Sequence, residues 1–190
     1  MARASVIDPI SVNDYSTSGT VGLTGITGPN VISFNSVAGG SFQAPSAFSL
    51  GEFLVGALPI GTTTTYVDTP FEITYLAQKI NGAAPDVNQT PLTIKGKLNG
   101  TVSGGNQSNV LATFNPMDKD PAFRTGDFLN TLKFGGSALL VPSSNNGGRT
   151  TLQAELMSSY SPVPEPATIA VFVVAGLGLG LRRRLRARAA

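Results

Sequence analysis

Between positions 92 and 103 the chain alternates without a break. Leu92, Ile94, Gly96, Leu98, Gly100 and Val102 are apolar or bare, whereas Thr93, Lys95, Lys97, Asn99, Thr101 and Ser103 are all polar. Side chains on a strand point to opposite faces in turn, so this pattern gives one face to a core and the other to water. It is what a half-buried antiparallel strand requires. Asn99-Gly100 is also a tight-turn pair, but the alternation keeps its phase through it, which favours one long strand. The turn then falls at 104–108, with a return strand through Val110, Ala112 and Phe114.

The same period recurs along the chain. Phe71, Ile73 and Tyr75 alternate with Glu72 and Thr74; Phe128, Leu132 and Phe134 share one parity, and Leu152, Ala154 and Leu156 another. Further strands are predicted at 5–12, 19–26, 31–37, 48–58, 63–68 and 137–141. Turn clusters separate them at Gly28-Pro29-Asn30, Gly39-Gly40, Asn81-Gly82 and 143–148. About ten short strands at this spacing, with no amphipathic helix among them, predict an all-β body, an antiparallel β-sandwich or jelly roll. Edge strands of such a body need protection, and Lys95 and Lys97 on one polar face are expected to supply it.

Composition narrows the chemistry. The chain has no Cys and no His, which excludes zinc sites built on those residues, Cys nucleophiles, Ser-His-Asp triads and disulfides. Its net charge of +2 hides an asymmetry: residues 162–190 hold five Arg against one Glu, leaving eight Lys and Arg against ten Asp and Glu before them. The basic excess is thus one terminal cluster, not a stripe interleaved with aromatic residues, and nucleic-acid binding is not expected.

The body offers weak candidates. Asn115, Asp118 and Asp120, with Asp127 downstream, form the densest acidic group. Its spacing lacks the glycine and the closing Glu of a calcium loop, and Lys119 weakens the local field, so a solvated turn is the better reading. Glu52, Glu72, Asp86 and Glu155 stand singly, with no pairing of the kind glycoside hydrolysis needs. No nucleophile, base and orienter come together, no cofactor is implied, and the body is expected not to be an enzyme. Asn88, Asn99 and Asn106 each open an N-x-Ser/Thr triplet, and the threonine tract at 62–65 is too short for a flat array; both signals are weak. A carbohydrate-binding module is the competing reading. It usually shows aromatic platforms, yet the chain has no Trp and its four Tyr (Tyr15, Tyr66, Tyr75, Tyr160) form no cluster in sequence.

The tail is different. Residues 161–166 read Ser-Pro-Val-Pro-Glu-Pro, and the prolines have no backbone donor with which to continue a sheet. Residues 167–181 carry no charge, and Arg182, Arg183, Arg184, Arg186 and Arg188 follow at once. As a helix the uncharged segment would measure about 22 Å, short of a hydrocarbon core of about 30 Å. Bilayer thinning and snorkelling arginines cover part of the difference. The cationic cluster predicts a stop on the cytoplasmic side, with the body outside. A core helix of the body fits badly, because the segment has no polar face and the arginines would lack counter-charges. A single C-terminal transmembrane helix in contact with membrane lipid is therefore expected, dividing the chain into a body at 1–160 and a tail at 161–190.

This three-part tail resembles the PEP-CTERM sorting signal of bacterial exopolysaccharide producers: Val163, Pro164, Glu165 and Pro166 as the sorting motif, then a short apolar span, then the Arg cluster. The same tail also carries the label of an ice-binding-protein C-terminal domain, which says nothing about ice here. The resemblance covers only about the last thirty residues. It implies an exported protein cut near the motif by an exosortase, a membrane cysteine transpeptidase, and destined for the cell surface or an exopolysaccharide matrix. It also implies an N-terminal signal peptide. Ala2-Arg3-Ala4 fits the pattern before a signal-peptidase cut, so residues 1–4 read as the remnant of a longer signal peptide, with Ser5 the first mature residue; the alternative is chance in an Ala-rich start.

Overall fold

The computed structural model describes residues 11–80, 84–85, 91–115, 120–125 and 127–160. The chain divides into two units, Met1–Tyr160 and Ser161–Ala190, and the described residues all belong to the first. They form an all-β fold whose strands pair antiparallel throughout. In chain order the first six are β1 (Ser11–Val21), β2 (Ile26–Thr27), β3 (Ile32–Asn35), β4 (Gly40–Ala44), β5 (Ala47–Val55) and β6 (Thr63–Ile80). Then come β7 (Leu92–Ser103), β8 (Gln107–Ser108), β9 (Leu111–Phe114), β10 (Ala122–Thr125), β11 (Phe128–Phe134), β12 (Ser137–Leu139) and β13 (Arg149–Tyr160). One 3-10 turn, Asn146–Gly148, precedes the last strand.

The larger sheet runs β12-β9-β7-β6-β1-β4, with β2 beside β6 and β8 beside β7; the smaller runs β10-β11-β13-β5-β3. Their inner faces share one core. Tyr15 meets Phe48 at 4.9 Å between ring centroids, Phe71 meets Phe53 at 5.1 Å, and Tyr75 meets Phe123 at 6.3 Å. The Tyr15 hydroxyl donates across the gap to the Ser49 carbonyl at 2.7 Å. Between the rings lie Leu50, Ile73, Ile94, Leu98, Leu132 and Leu156, all fully buried. Removing that apolar surface from water is the main force holding the two sheets together.

The alternation at 92–103 becomes one strand, with Leu92, Ile94, Leu98 and Val102 buried and Thr93, Lys95, Lys97 and Asn99 exposed. The chain turns at 104–106, and Val110, Ala112 and Phe114 return on the buried side. Gly96 is needed on the inner row. It lies opposite Phe71 in register, and a Cβ there would run into the Phe71 ring and the Thr113 carbonyl.

Several expectations need correction. Lys95 and Lys97 protect no edge, because β7 lies between β6 and β9 inside the sheet. The edges are instead β12, β4, β10 and β3, of three to five residues each, and their shortness limits what another chain could pair with. The separate runs at 63–68 and 71–75 are one strand of 18 residues. A bulge joins them: Tyr66 pairs with Gly100 and Thr69 with Leu98, so Val67 and Asp68 together oppose Asn99. Similarly β1 runs unbroken from Ser11 to Val21, through a stretch read as connecting. Gly40 opens β4 instead of turning, β5 stops at Val55 short of position 58, and β4 and β10 were not expected at all. The Asn81-Gly82 turn and residues 5–10 lie outside the described residues.

Candidate functional site

The predicted sorting motif, Val163, Pro164, Glu165 and Pro166, and the predicted stop, Arg182, Arg183, Arg184, Arg186 and Arg188, lie outside the described residues, as does the expected transmembrane helix. Among the described residues no helix is long and apolar enough to cross a membrane.

Within the body, the bulge on β6 builds an exposed polar group held by hydrogen bonds across the strand pair. Its second residue, Asp68, adopts a left-handed backbone conformation with φ 49°, which Asp tolerates better than most residues. Asn99 holds it there: the Asp68 N–H donates to Asn99 Oδ1 at 2.8 Å, and Asn99 Nδ2 returns a long bond of 3.4 Å to Asp68 Oδ1. The ammonium of Lys97 lies 3.5 Å from the same carboxylate oxygen. One step along the sheet, Lys95 and Glu72 are register partners with a charge separation of 3.8 Å.

Asp68, Lys95, Lys97 and Asn99 rim a depression of about 530 Å³ on the outward face of the larger sheet, floored by the Pro70 ring, the Gly96 backbone and Thr113. A second depression of about 440 Å³ lies between Thr101, Ser103, Asn109 and Pro142. The outward row of β7 lines both. Its members Lys95, Lys97, Asn99, Thr101 and Ser103 span about 26 Å at 3.3 Å per residue. The polar row is legible in the sequence; the site is not. Asp68 and Asn99 are 31 positions apart and meet only through the bulge; the one local signal was the break in alternation at Val67-Asp68.

The other sequence candidates do not converge. Glu72 faces outward from the larger sheet, while Glu52 and Glu155 sit on strands of the smaller one. Glu52 is paired with Arg149, and Glu155 lies opposite Lys133 in register. Asp86 lies outside the described residues, as do Asp118 and Lys119. Asp120 and Asp127 are exposed. Among the described residues no group of three His, Cys, Asp or Glu could hold a metal ion.

The threonine tract presents no common face. Thr64 is buried and donates to the Pro29 carbonyl at 2.7 Å, while Thr63 is exposed. Of the N-x-Ser/Thr asparagines, Asn99 is committed to Asp68, and Asn106 accepts from Ser143 Oγ at 3.1 Å; Asn88 lies outside the described residues. Tyr15, Tyr66 and Tyr75 are core residues, and burial pushes all three phenols above their ordinary value, which unsuits them to proton transfer near neutral pH. Only Tyr160 is exposed, at 53%, with its ring against Phe128. The one aromatic residue lining either depression, Phe114, is a buried core side chain and offers no exposed platform.

The comparisons with known proteins speak to the tail alone. The PEP-CTERM protein-sorting motif matches residues 162–184, a segment that holds Val163 through Pro166 and the first three arginines of the cluster. No curated protein and no solved structure matches the chain. The chain carries a PEP-CTERM protein-sorting motif, which implies an exported protein anchored at its C-terminus and processed by an exosortase.

Proposed function

We propose that the chain is a non-enzymatic surface or extracellular-matrix protein. In this reading residues 1–160 form a β-sandwich module, and residues 161–190 sort it and hold it in the membrane until an exosortase acts. The observation that carries the reading is the order of the tail: Val-Pro-Glu-Pro, fifteen uncharged residues, then five arginines within seven positions. An apolar span followed by a cationic cluster has the physics of a stop-transfer segment. Glu165 is the only acidic residue of the tail, and a carboxylate drawn to the bilayer centre costs about 2.5–3.5 kcal/mol on insertion scales. It therefore marks where the span begins on the outer side. The absence of His and Cys from the sequence supports a body without catalytic chemistry, and so does the ion pairing of Glu52, Asp68 and Glu72 with Arg149, Lys97 and Lys95.

The test is substitution in a bacterial host that has an exosortase. Glu165→Ala or Pro166→Ala is expected to leave insertion intact and to block processing, so full-length protein accumulates in the membrane. Neutral residues in place of Arg182, Arg183 and Arg184 are expected to weaken the stop instead. If the motif variants still lose their tails at the parental rate, sorting is not the work of this motif and only the anchor remains.

A further inference from the structure

The two depressions along β7 have a charge balance that selects among ligands. Among the described residues, each lysine on the rim is ion-paired with a carboxylate of β6: Lys95 with Glu72, just beyond the lining, and Lys97 with Asp68. These four charges sum to zero. An anionic polymer would gain nothing from releasing counterions here and would meet two carboxylates. A cationic partner fares no better.

Hydrogen-bonding capacity is nevertheless left over. A carboxylate offers about four acceptor positions. Lys97 and Asn99 occupy Oδ1 of Asp68, so acceptor capacity remains on its other oxygen. Lys97 carries three donors and Asn99 two, of which Asp68 engages one from each. Donors and an acceptor thus lie side by side on one rim, and a hydroxyl, which both donates and accepts, satisfies both kinds. Bonds to the ionised members are the stronger sort. The floor is weakly apolar: the exposed Pro70 ring, the Thr113 side chain and the lysine stems offer contact to C–H groups. The frame is rigid, since β6 and β7 are the long central strands of the sheet and Asp68 is fixed by Asn99. Because one strand row of about 26 Å continues into the second depression, the shape suits an extended chain better than a single small molecule.

We propose that this trough binds a neutral, linear polysaccharide. The proposal rests on the reading of the body as an exported, non-enzymatic module only for where the polymer is met; the binding itself is independent of sorting. The experiment uses the full chain in detergent micelles, with biolayer interferometry over immobilised dextran, linear β-glucan, galactomannan and alginate. At least one neutral polymer is expected to bind, and more tightly than the anionic alginate. Lys97→Met keeps the aliphatic stem and removes the ammonium; Asp68→Asn keeps the shape and removes the charge. Each is expected to weaken binding roughly tenfold or more, with a cooperative melting transition within a few degrees of the parent's as the folding check. Lys133→Met, on the other sheet, is expected to bind as the parent does. The proposal is overturned if no neutral polymer binds, if alginate binds more tightly than all of them, or if both trough variants bind like the parent. Failure here leaves the processing assay on Glu165 untouched, and failure there leaves this binding assay untouched.

Discussion

The body and the tail encode what they do in opposite ways. In the body, information is spread thinly. Some two dozen apolar residues from both sheets share one core, and no single side chain announces a task. In the tail, information is concentrated and ordered: a four-residue motif, an uncharged run and an arginine cluster. The difference follows from the solvent each must answer to. A core is built by contacts between residues far apart in sequence, and many sets of residues satisfy it. A sorting and stop-transfer signal acts through its linear order and its charge, so few sequences satisfy it.

The largest effect that could break this comparison comes from moving the boundary between the two. Strand β13 ends at Tyr160, next to the motif, yet it is the centre of the smaller sheet: it pairs with β11 over seven positions and with β5 over seven more. It also buries Leu152, Ala154, Leu156 and Ser158. Without it, the sheet falls into two-stranded ribbons, which are marginal alone in water. A chain ended after Gly148 is expected to show no cooperative melting transition. A chain ended after Ser161 is expected to melt like the full-length protein in far-UV circular dichroism. Should the second truncation also abolish folding, the body depends on the tail and the two regions are not independent.

How far each region could be read from sequence follows the same logic. The β7 row was readable because inward and outward residues differ sharply at every step. β1 was not: its inward positions include Asn13 and Thr17, both buried, and Gly19, under the Phe34 ring. A buried polar residue looks like a surface residue until its neighbours are known. The four-residue β10 is too short to show a period, and the bulge at Val67-Asp68 shifts the phase of β6, so one strand looked like two. The trough was hidden for a related reason. Asp68 and Asn99 acquire their relation from register, which no local pattern states. The tail, by contrast, was read from residue order alone.

A middle-sized effect sharpens the comparison through pH. Tyr15, Tyr66 and Tyr75 are buried in the body, and the tail has no tyrosine. Desolvation raises all three phenols above 10.0, for Tyr75 with a further push from nearby Tyr15. The unfolded chain therefore ionises these groups first as pH rises. The stability they contribute is complete below about pH 10 and is lost as pH climbs from there through the folded values. Denaturation midpoints across pH 10 are expected to fall steeply, and equally so with and without the tail. Tyr75→Phe is the discriminating variant. Its hydroxyl has no hydrogen-bond partner among the described residues, so removing it is expected to cost little at neutral pH and to flatten the alkaline loss. A large loss of stability at neutral pH would mean that the hydroxyl is satisfied in solution after all.

The smallest expected effect tests whether the outer face of the body is as dispensable for folding as its spread-out code implies. Lys95 and Glu72 stand directly opposite each other, at 3.8 Å, with side chains 61% and 48% exposed. Exposed pairs of this kind contribute about 0.2–1 kcal/mol, because both chains lose rotamer freedom and water screens the attraction. A double-mutant cycle with Lys95→Met and Glu72→Gln is expected to return a coupling in that range, shrinking as salt is added. The Lys97–Asp68 pair offers the internal comparison. Its distance is 3.5 Å and its exposure is similar, but the Asp68 backbone is held by Asn99, so less freedom remains to be lost when the pair forms. Its coupling is expected to be the larger of the two, still within about 1 kcal/mol, and to fall to the level of the Lys95–Glu72 pair when Asn99→Ala releases the bulge. Couplings that are equal in the parent would mean that Asn99 fixes the backbone without ordering the carboxylate. The trough rim would then be looser than its hydrogen bonds imply, although the fold beneath it would stand.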